Sequence, residues 1–299
     1  MTGEALLERK LEEVAASTYL RRLAIAVTTV GEGAAEVSLP YADQVSNRGG
    51  NVHGGAISSA LIVAGSLAAA SSHADNHEAV DGRPLASSIS FLSAASGEDL
   101  VARGRTLRRG RDTVHVACDV HAAGAGRVAT GSMTYRIAAE GDGAASSSVA
   151  STSLGEQERA ELATATARRM SGSPYGQAAG IEVLVERPYF ASARLPLAPN
   201  EGVDGRVHEG AVAGLVDNCG AFSSYAHPDA PTPGRGATVA MHLDHLGHVP
   251  GDVYAVSRVM ARDGSAFTSQ VEVASPIDGR ISTLATVTYR IVAAAGAGS

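Results

Sequence analysis

Two hydropathy patterns organise the chain. Residues 52–72 form the longest uncharged stretch, built of Gly, Ala, Ser and aliphatic residues with no polar face. It is too long for a strand and reads as a helix buried on all sides. Around it lie runs such as "LASSISFLSA", "DLVARGRTLRRG", "DTVHVACDVHAA" and "RVATGSMTYRI". Several alternate apolar and polar positions, as strands with one buried face require. Upstream, "LAIAVTTV" and "AAEVSLP" are joined by "GEG", a hairpin turn. A helix over about residues 6–20 opens the chain.

This order occurs twice. "NVHGGAISSAL" (51–61) answers to "RVHEGAVAGLV" (206–216), which places His53 and His208 155 positions apart. "GEDLVARGR" and "GDVYAVSRV" are offset by 154, as are the "TYRI" motifs ending at Ile137 and Ile291. The strand-like runs of the second half are "GIEVLVE", "YFASARLP", "ATVAMHLDHL", "DVYAVSRVMAR", "AFTSQVEVAS" and "RISTLATVTYRI". Residues 1–138 and 153–299 are therefore two copies of one module, joined by a Gly-, Ala- and Ser-rich linker over 139–152. Ser153, three residues before Glu156, starts a second opening helix that runs to about Met170. One long helix and five or six mostly antiparallel strands per copy make an α+β fold, a sheet curled around a helix.

Composition narrows the function. A net charge of −7, only 4% aromatic residues and no Trp argue against a nucleic-acid binder. Cys118 and Cys219 are too few for a disulfide framework or a zinc quartet, and read as buried reduced thiols. The acidic N-terminus is not a signal peptide. Residues 52–72 are too rich in small residues for a convincing membrane span. A cytoplasmic protein is expected, without nucleic-acid or membrane partners.

One acid stands out. In "VHEGAVAGLVDN" Asp217 sits among small and apolar residues, nine positions after His208. An unpaired buried carboxylate costs several kcal/mol, of order 5, so it needs a partner or a use. The first copy has Ile62 there instead. The histidines His73, His77, His242, His245 and His248 make no metal site: in "HLDHLGH", strand alternation puts His242 and Asp244 on one face and His245 on the other. "RTLRRGRD" is by default a solvated turn.

The duplicated module resembles the hot-dog fold, and in particular the phenylacetyl-CoA and 4-hydroxybenzoyl-CoA thioesterases. The family's signature is an Asn, six residues later His-Gly-Gly opening the central helix, then an acid nine residues after the His; Asn47 and His53-Gly54-Gly55 match it in the first copy, and Asp217, nine after His208, matches it in the second. The resemblance implies sites between paired units. One unit lends the Asn, the His and an oxyanion-binding Gly; the other lends the acid on its helix and a hydroxyl on the next strand. Copy one holds the loop half complete: Asn47, His53, Gly54 and Gly55. Copy two holds Asp217, and Thr238 where the family's helper hydroxyl sits. Its own loop is degraded, with Gly202 and Glu209 in place of Asn and Gly. One complete site is thus expected across the seam, and one dead one.

By that resemblance the Gly54 N–H would polarise the thioester carbonyl. Asp217 would act as base or nucleophile. Asn47 would orient water or the acid, His53 would shape the loop, and Thr238 would hold the water or the carboxylate. Gly55 with Arg109, Arg111, Arg262 and Gly264 would contact substrate, the arginines suiting the phosphates of coenzyme A; the residues alone leave open which turn serves the live site. The implied activity is acyl-CoA hydrolysis without metal or dissociable cofactor, coenzyme A being part of the substrate. A dimer or trimer of chains is expected. The rivals are a non-catalytic acyl-CoA sensor and a hot-dog dehydratase or hydratase, whose His-containing loop pattern is absent.

Overall fold

A computed structural model describes residues 3–72, 79–124, 126–138, 172–202 and 205–294. The expected linker, the second opening helix, His73 and His77 lie outside the described residues. The first half begins with α1 (Gly3–Ala16) and α2 (Thr18–Arg22). The single opening helix expected from the sequence is broken where Ser17 caps α2 through its hydroxyl. The hairpin β1 (Ala26–Gly31) and β2 (Ala34–Leu39) follows, then α3 (Gly54–Ser71). Four strands complete this half: β3 (Ala79–Phe91), β4 (Leu100–Arg109), β5 (Thr113–Ala122) and β6 (Gly126–Ala138). The second half repeats the order with α4 (Pro174–Ala179), β7 (Glu182–Arg187), β8 (Phe190–Leu195), α5 (Glu209–Tyr225), β9 (Gly234–His245), β10 (Val253–Asp263), β11 (Ala266–Ala274) and β12 (Ile281–Ala293).

All the described strands join one antiparallel sheet of order β1-β2-β4-β5-β6-β3-β9-β12-β11-β10-β8-β7. Each half has the same strand order, reversed about the β3–β9 junction. That junction pairs Ala86 with Asp244, Ser88 with His242 and Ser90 with Ala240. Ser88 and His242 are equivalent in the repeat, so a pseudo-twofold axis passes between them. There the Ser88 hydroxyl meets the His242 imidazole at 2.8 Å.

Each sheet curls around its own long helix, as the hydropathy pattern requires. On β5 the inward positions are Val114, Val116, Cys118, Val120 and Ala122, all buried. Helix α3 is long and apolar enough to cross a membrane, but 89% of it is buried inside the protein. Leu7, Leu11 and Val14, one stripe of α1, pack against this core. Both cysteines are free and buried, and burial pushes the Cys118 thiol up to about 12.

Small residues set how closely sheet and helix approach. A Cβ on Gly104 of β4 would lie 2.4 Å from the Ala64 carbonyl oxygen of α3. In the second half the matching strand position is Ser257, whose hydroxyl bonds Ser223 of α5 at 2.7 Å. Backbone contact in one copy becomes a hydroxyl bond in the other. Gly104→Ala should therefore strain helix against strand and destabilise the protein by about 1–3 kcal/mol. A thermal melt should record a fall in Tm of several degrees, whereas a Tm equal to that of the parent would mean the two backbones can part at no cost.

Candidate active site

The two central helices touch along their N-terminal halves. A Cβ on Gly55 would lie 2.8 Å from Gly214 Cα, and one on Gly210 would lie 2.9 Å from Ser59 Cα. The crossing is that of two backbones, so each helix N-terminus reaches the middle of the other helix.

Both helices are capped by histidine. His53 Nδ1 accepts the Gly55 N–H at 2.9 Å, and His208 Nδ1 accepts the Gly210 N–H at 2.9 Å. A ring nitrogen that accepts carries no proton, so each capping imidazole is neutral with its hydrogen on Nε2. Burial lowers the pKa of both rings, that of His208 to about 4. Asp217 opposes the shift at His53 without cancelling it.

The acid of the second half lies at the first helix N-terminus of the other half. Asp217 Oδ2 is 3.5 Å from His53 Nδ1, and occupies the space a Gly54 side chain would need, 2.7 Å from the ideal Cβ. Gly54 is the first residue of α3; its N–H is one of the four that a helix leaves without an internal acceptor. Asp217 Oδ1 accepts a hydrogen bond from the Thr238 hydroxyl of β9. Only 5% of Asp217 is exposed. Its charge is met by a hydroxyl and by the positive end of α3. The 3.5 Å approach to Nδ1 is no hydrogen bond, because that nitrogen has no hydrogen to give. His53 is thus a cap beside the carboxylate and not a proton relay to it.

Other expected site residues are placed differently. The Asn47 side-chain oxygen accepts from Gly49 N at 2.8 Å and Asn51 N at 3.2 Å. It closes the turn that leads to His53, an Asx-type function. Gly55 faces the Tyr175 hydroxyl and Gly214 at the helix crossing, where close packing of the helices leaves no room for a side chain.

Strand register separates the basic turns. Arg262, Phe267, Tyr289 and Thr238 form one row across the second half of the sheet. Arg109, Val114, Tyr135 and Pro84 form the equivalent row in the first. Arg262 therefore shares a sheet end with Thr238 and Asp217. Arg109 shares the end that carries Pro84 where the Asp217 seam has Thr238; Arg111 sits on the same turn, with its side chain 95% exposed. Arg262 bonds Asp229 at 2.8 Å and the Gly264 carbonyl at 3.0 Å, which holds the turn at Gly264, φ +55°.

The mirror seam keeps the capping His208 but lacks the loop glycine, the acid and the hydroxyl. Glu209 replaces Gly54 and approaches His248 at 3.9 Å; Ile62 replaces Asp217 and Pro84 replaces Thr238. A cleft there is lined by Arg83, Arg206, Glu209, His245 and His248.

Comparison with known proteins agrees with this architecture. The Thioesterase superfamily pattern matches residues 49–129, which run from the turn before His53 through α3 and strands β3, β4 and β5 into β6. A protein of Saccharolobus solfataricus named as an esterase is 30% identical over 110 residues, 36% of this chain and 76% of its own. The chain belongs to the thioesterase superfamily. Among solved structures, a hot-dog protein of unknown function from Alicyclobacillus acidocaldarius superposes with TM-score 0.62 at 16% identity, covering 90% of this chain and 96% of that one. An acyl-CoA thioesterase II from Mycobacterium marinum superposes with TM-score 0.59 at 11% identity, covering 91% and 97%. These likenesses span both halves and give this superfamily member the hot-dog fold twice over.

The neutral histidines carry a consequence for stability. In the unfolded chain they titrate near 6.5; folded, His208 titrates near 4 and His245, buried against Ser87, near 3. Between those values the unfolded state binds more protons, so stability falls as pH falls. Unfolding free energies from urea titrations should be level above about pH 7 and fall from about pH 6.5 downward, by about 1.4 kcal/mol per pH unit for each such histidine, with the midpoints falling in step. Midpoints unchanged between pH 7 and 5 would contradict the neutral caps.

Proposed function

We propose that the protein hydrolyses acyl-CoA thioesters at one site across the seam between its halves. The observation that carries this reading is the Asp217 carboxylate, delivered by the second half to the N-terminus of the first half's central helix. Thr238 engages Oδ1, which leaves Oδ2 as the oxygen facing Gly54.

The thioester carbonyl oxygen would point at the Gly54 N–H, where the donor and the helix dipole stabilise the negative charge that develops there. Gly54 suits this place because it has no side chain to exclude substrate or carboxylate. Asp217 then either takes a proton from an attacking water or attacks the acyl carbon itself. In the first route the water oxygen joins the acyl carbon, the C–S bond breaks, and the proton held by Asp217 passes to the departing sulfur. In the second the C–S bond breaks as an acyl–Asp217 anhydride forms; a water then cleaves that anhydride, releasing the acid, restoring the carboxylate and supplying the proton that the thiolate takes up. Neutral His53 keeps the turn in shape. No metal or further cofactor enters the chemistry.

The shared sheet end favours Arg262 and the Gly264 turn as the grip for the nucleotide. Three strand spacings, about 14 Å, separate Thr238 from Arg262, a span suited to the pantetheine arm between a reacting thioester and its phosphates. The mirror seam, with Ile62, Glu209 and Pro84, would not turn over.

A panel of acyl-CoA substrates and a thiol-release assay test the reading. Asp217→Asn should lower kcat by about 10³-fold, with binding kept. Thr238→Ala should cost about tenfold, as expected for loss of one hydrogen bond of about 1.4 kcal/mol to a charged group. Hydrolysis unaffected by Asp217→Asn would reject the site. A wild-type protein that binds acyl-CoA and hydrolyses none of the panel would establish the sensor reading instead.

A further inference from the structure

A buried tyrosine pair spans the seam, and nothing in the chemistry above uses it. Tyr19 precedes the first hot-dog core and Tyr175 stands at the equivalent place in the second. Neither has any exposed surface, and their hydroxyls meet at 2.8 Å. The Tyr175 ring stacks on His53, with centroids 4.3 Å apart and planes 14° apart. Tyr19 lies more loosely against His208, at 5.3 Å and 30°.

Following the hydrogens gives the pair a direction. The Ser59 hydroxyl donates to the Gly55 carbonyl at 2.7 Å. Its one hydrogen is thereby used, so in its 2.7 Å contact with Tyr19 it accepts. Tyr19 in turn accepts from Tyr175. The chain runs Tyr175 to Tyr19 to Ser59 to Gly55, and the Gly55 N–H bonds His53, on which Tyr175 is stacked. The ring closes around the N-terminus of α3. Its mirror cannot close, because Gly214 stands where Ser59 would be and has no hydroxyl. The one closed circuit surrounds the helix terminus that faces Asp217. The Tyr175 backbone N–H also reaches across the seam to the Ser46 carbonyl at 3.0 Å.

We propose that Tyr175 is a positioning residue for the live site: it fixes the His53 ring from the opposite half, and through the hydroxyl chain it fixes the first turn of α3. It touches no reacting atom. This inference rests on the proposed site, but the circuit has a signature of its own, the buried neutral His53 imidazole.

Three variants and two readouts test it. Tyr175→Phe keeps the ring and breaks the hydroxyl chain. Ser59→Ala breaks the chain at its other end with little change in volume. Tyr175→Leu removes the stack as well. On an acyl-CoA that the wild type hydrolyses, the first two should each lower kcat about tenfold with KM held, as misplacement of a positioned group does. Independently of activity, ¹⁵N-histidine NMR should find His53 with an unprotonated Nδ1 and a depressed pKa in the wild type and in Tyr175→Phe. In Tyr175→Leu the His53 pKa should rise toward 6.5. Wild-type kcat in both conservative variants, or an unmoved His53 titration in folded Tyr175→Leu, would overturn the proposal. If no acyl-CoA is hydrolysed by the wild type, the proposed activity fails, and the NMR titration still decides whether Tyr175 holds His53.

Discussion

How near the two central helices lie is set by a handful of missing side chains. Gly55 against Gly214, and Gly210 against Ser59, let backbone meet backbone. Were either crossing point occupied by a larger residue, the helices would separate by the thickness of a side chain. Asp217 would then fall short of the N-terminus of α3, and Tyr175 short of His53. Sheet continuity through β3 and β9 sets the orientation of the halves, while the helix crossing sets the distance on which composite chemistry depends. Site geometry in this fold is thus a packing property before it is an electrostatic one.

The same closeness explains how a carboxylate can sit almost wholly buried in an apolar helix. Taken out of water, Asp217 is compensated from two directions, by the Thr238 hydroxyl and by the dipole of a helix to which it does not belong, while the neighbouring imidazole is kept neutral by its own capping bond. The neutral ring matters. A protonated His53 would pair with Asp217, lose the Gly55 amide as a partner and loosen the turn that presents Gly54. Burial, which disfavours that charge, keeps cap and acid in separate roles.

Much of this was legible in the sequence, and the reasons differ by residue. The repeat was visible because His53 and His208, and the two "TYRI" strands, hold nearly one offset. The central helices were visible because no strand runs uncharged for so long. Asp217 was conspicuous as an acid among small residues, and comparison of the copies isolated Ile62 and Glu209. What stayed illegible has one cause, that a motif does not say which neighbour a residue faces. The Asn47 side-chain oxygen holds its own turn, and Gly55 lies at a helix crossing. Arg109 and Arg262 occupy equivalent turns, and only strand register separates them into two sheet ends. Tyr175 was missed although the signal existed. Tyr19 and Tyr175 recur at nearly the same offset as the histidines, and a repeated tyrosine beside a repeated histidine invites the question of whether they meet.

Duplication also constrains which losses can coexist. A composite site takes its loop from one copy and its acid from the other, so every seam depends on both copies. Ile62 removes the acid of the mirror seam, and Glu209 and Pro84 remove its loop glycine and its hydroxyl. All three fall on one side. With Ile62 in place of the acid, the mirror seam has no carboxylate for a loop glycine or a strand hydroxyl to serve, and Gly214 stands there in place of the hydroxyl that Ser59 supplies opposite. A first loss on one seam and a second on the other would have left two half-sites, each with one component. The polarity of the hydroxyl chain follows the same asymmetry, since it terminates on the helix that still has an acid to face.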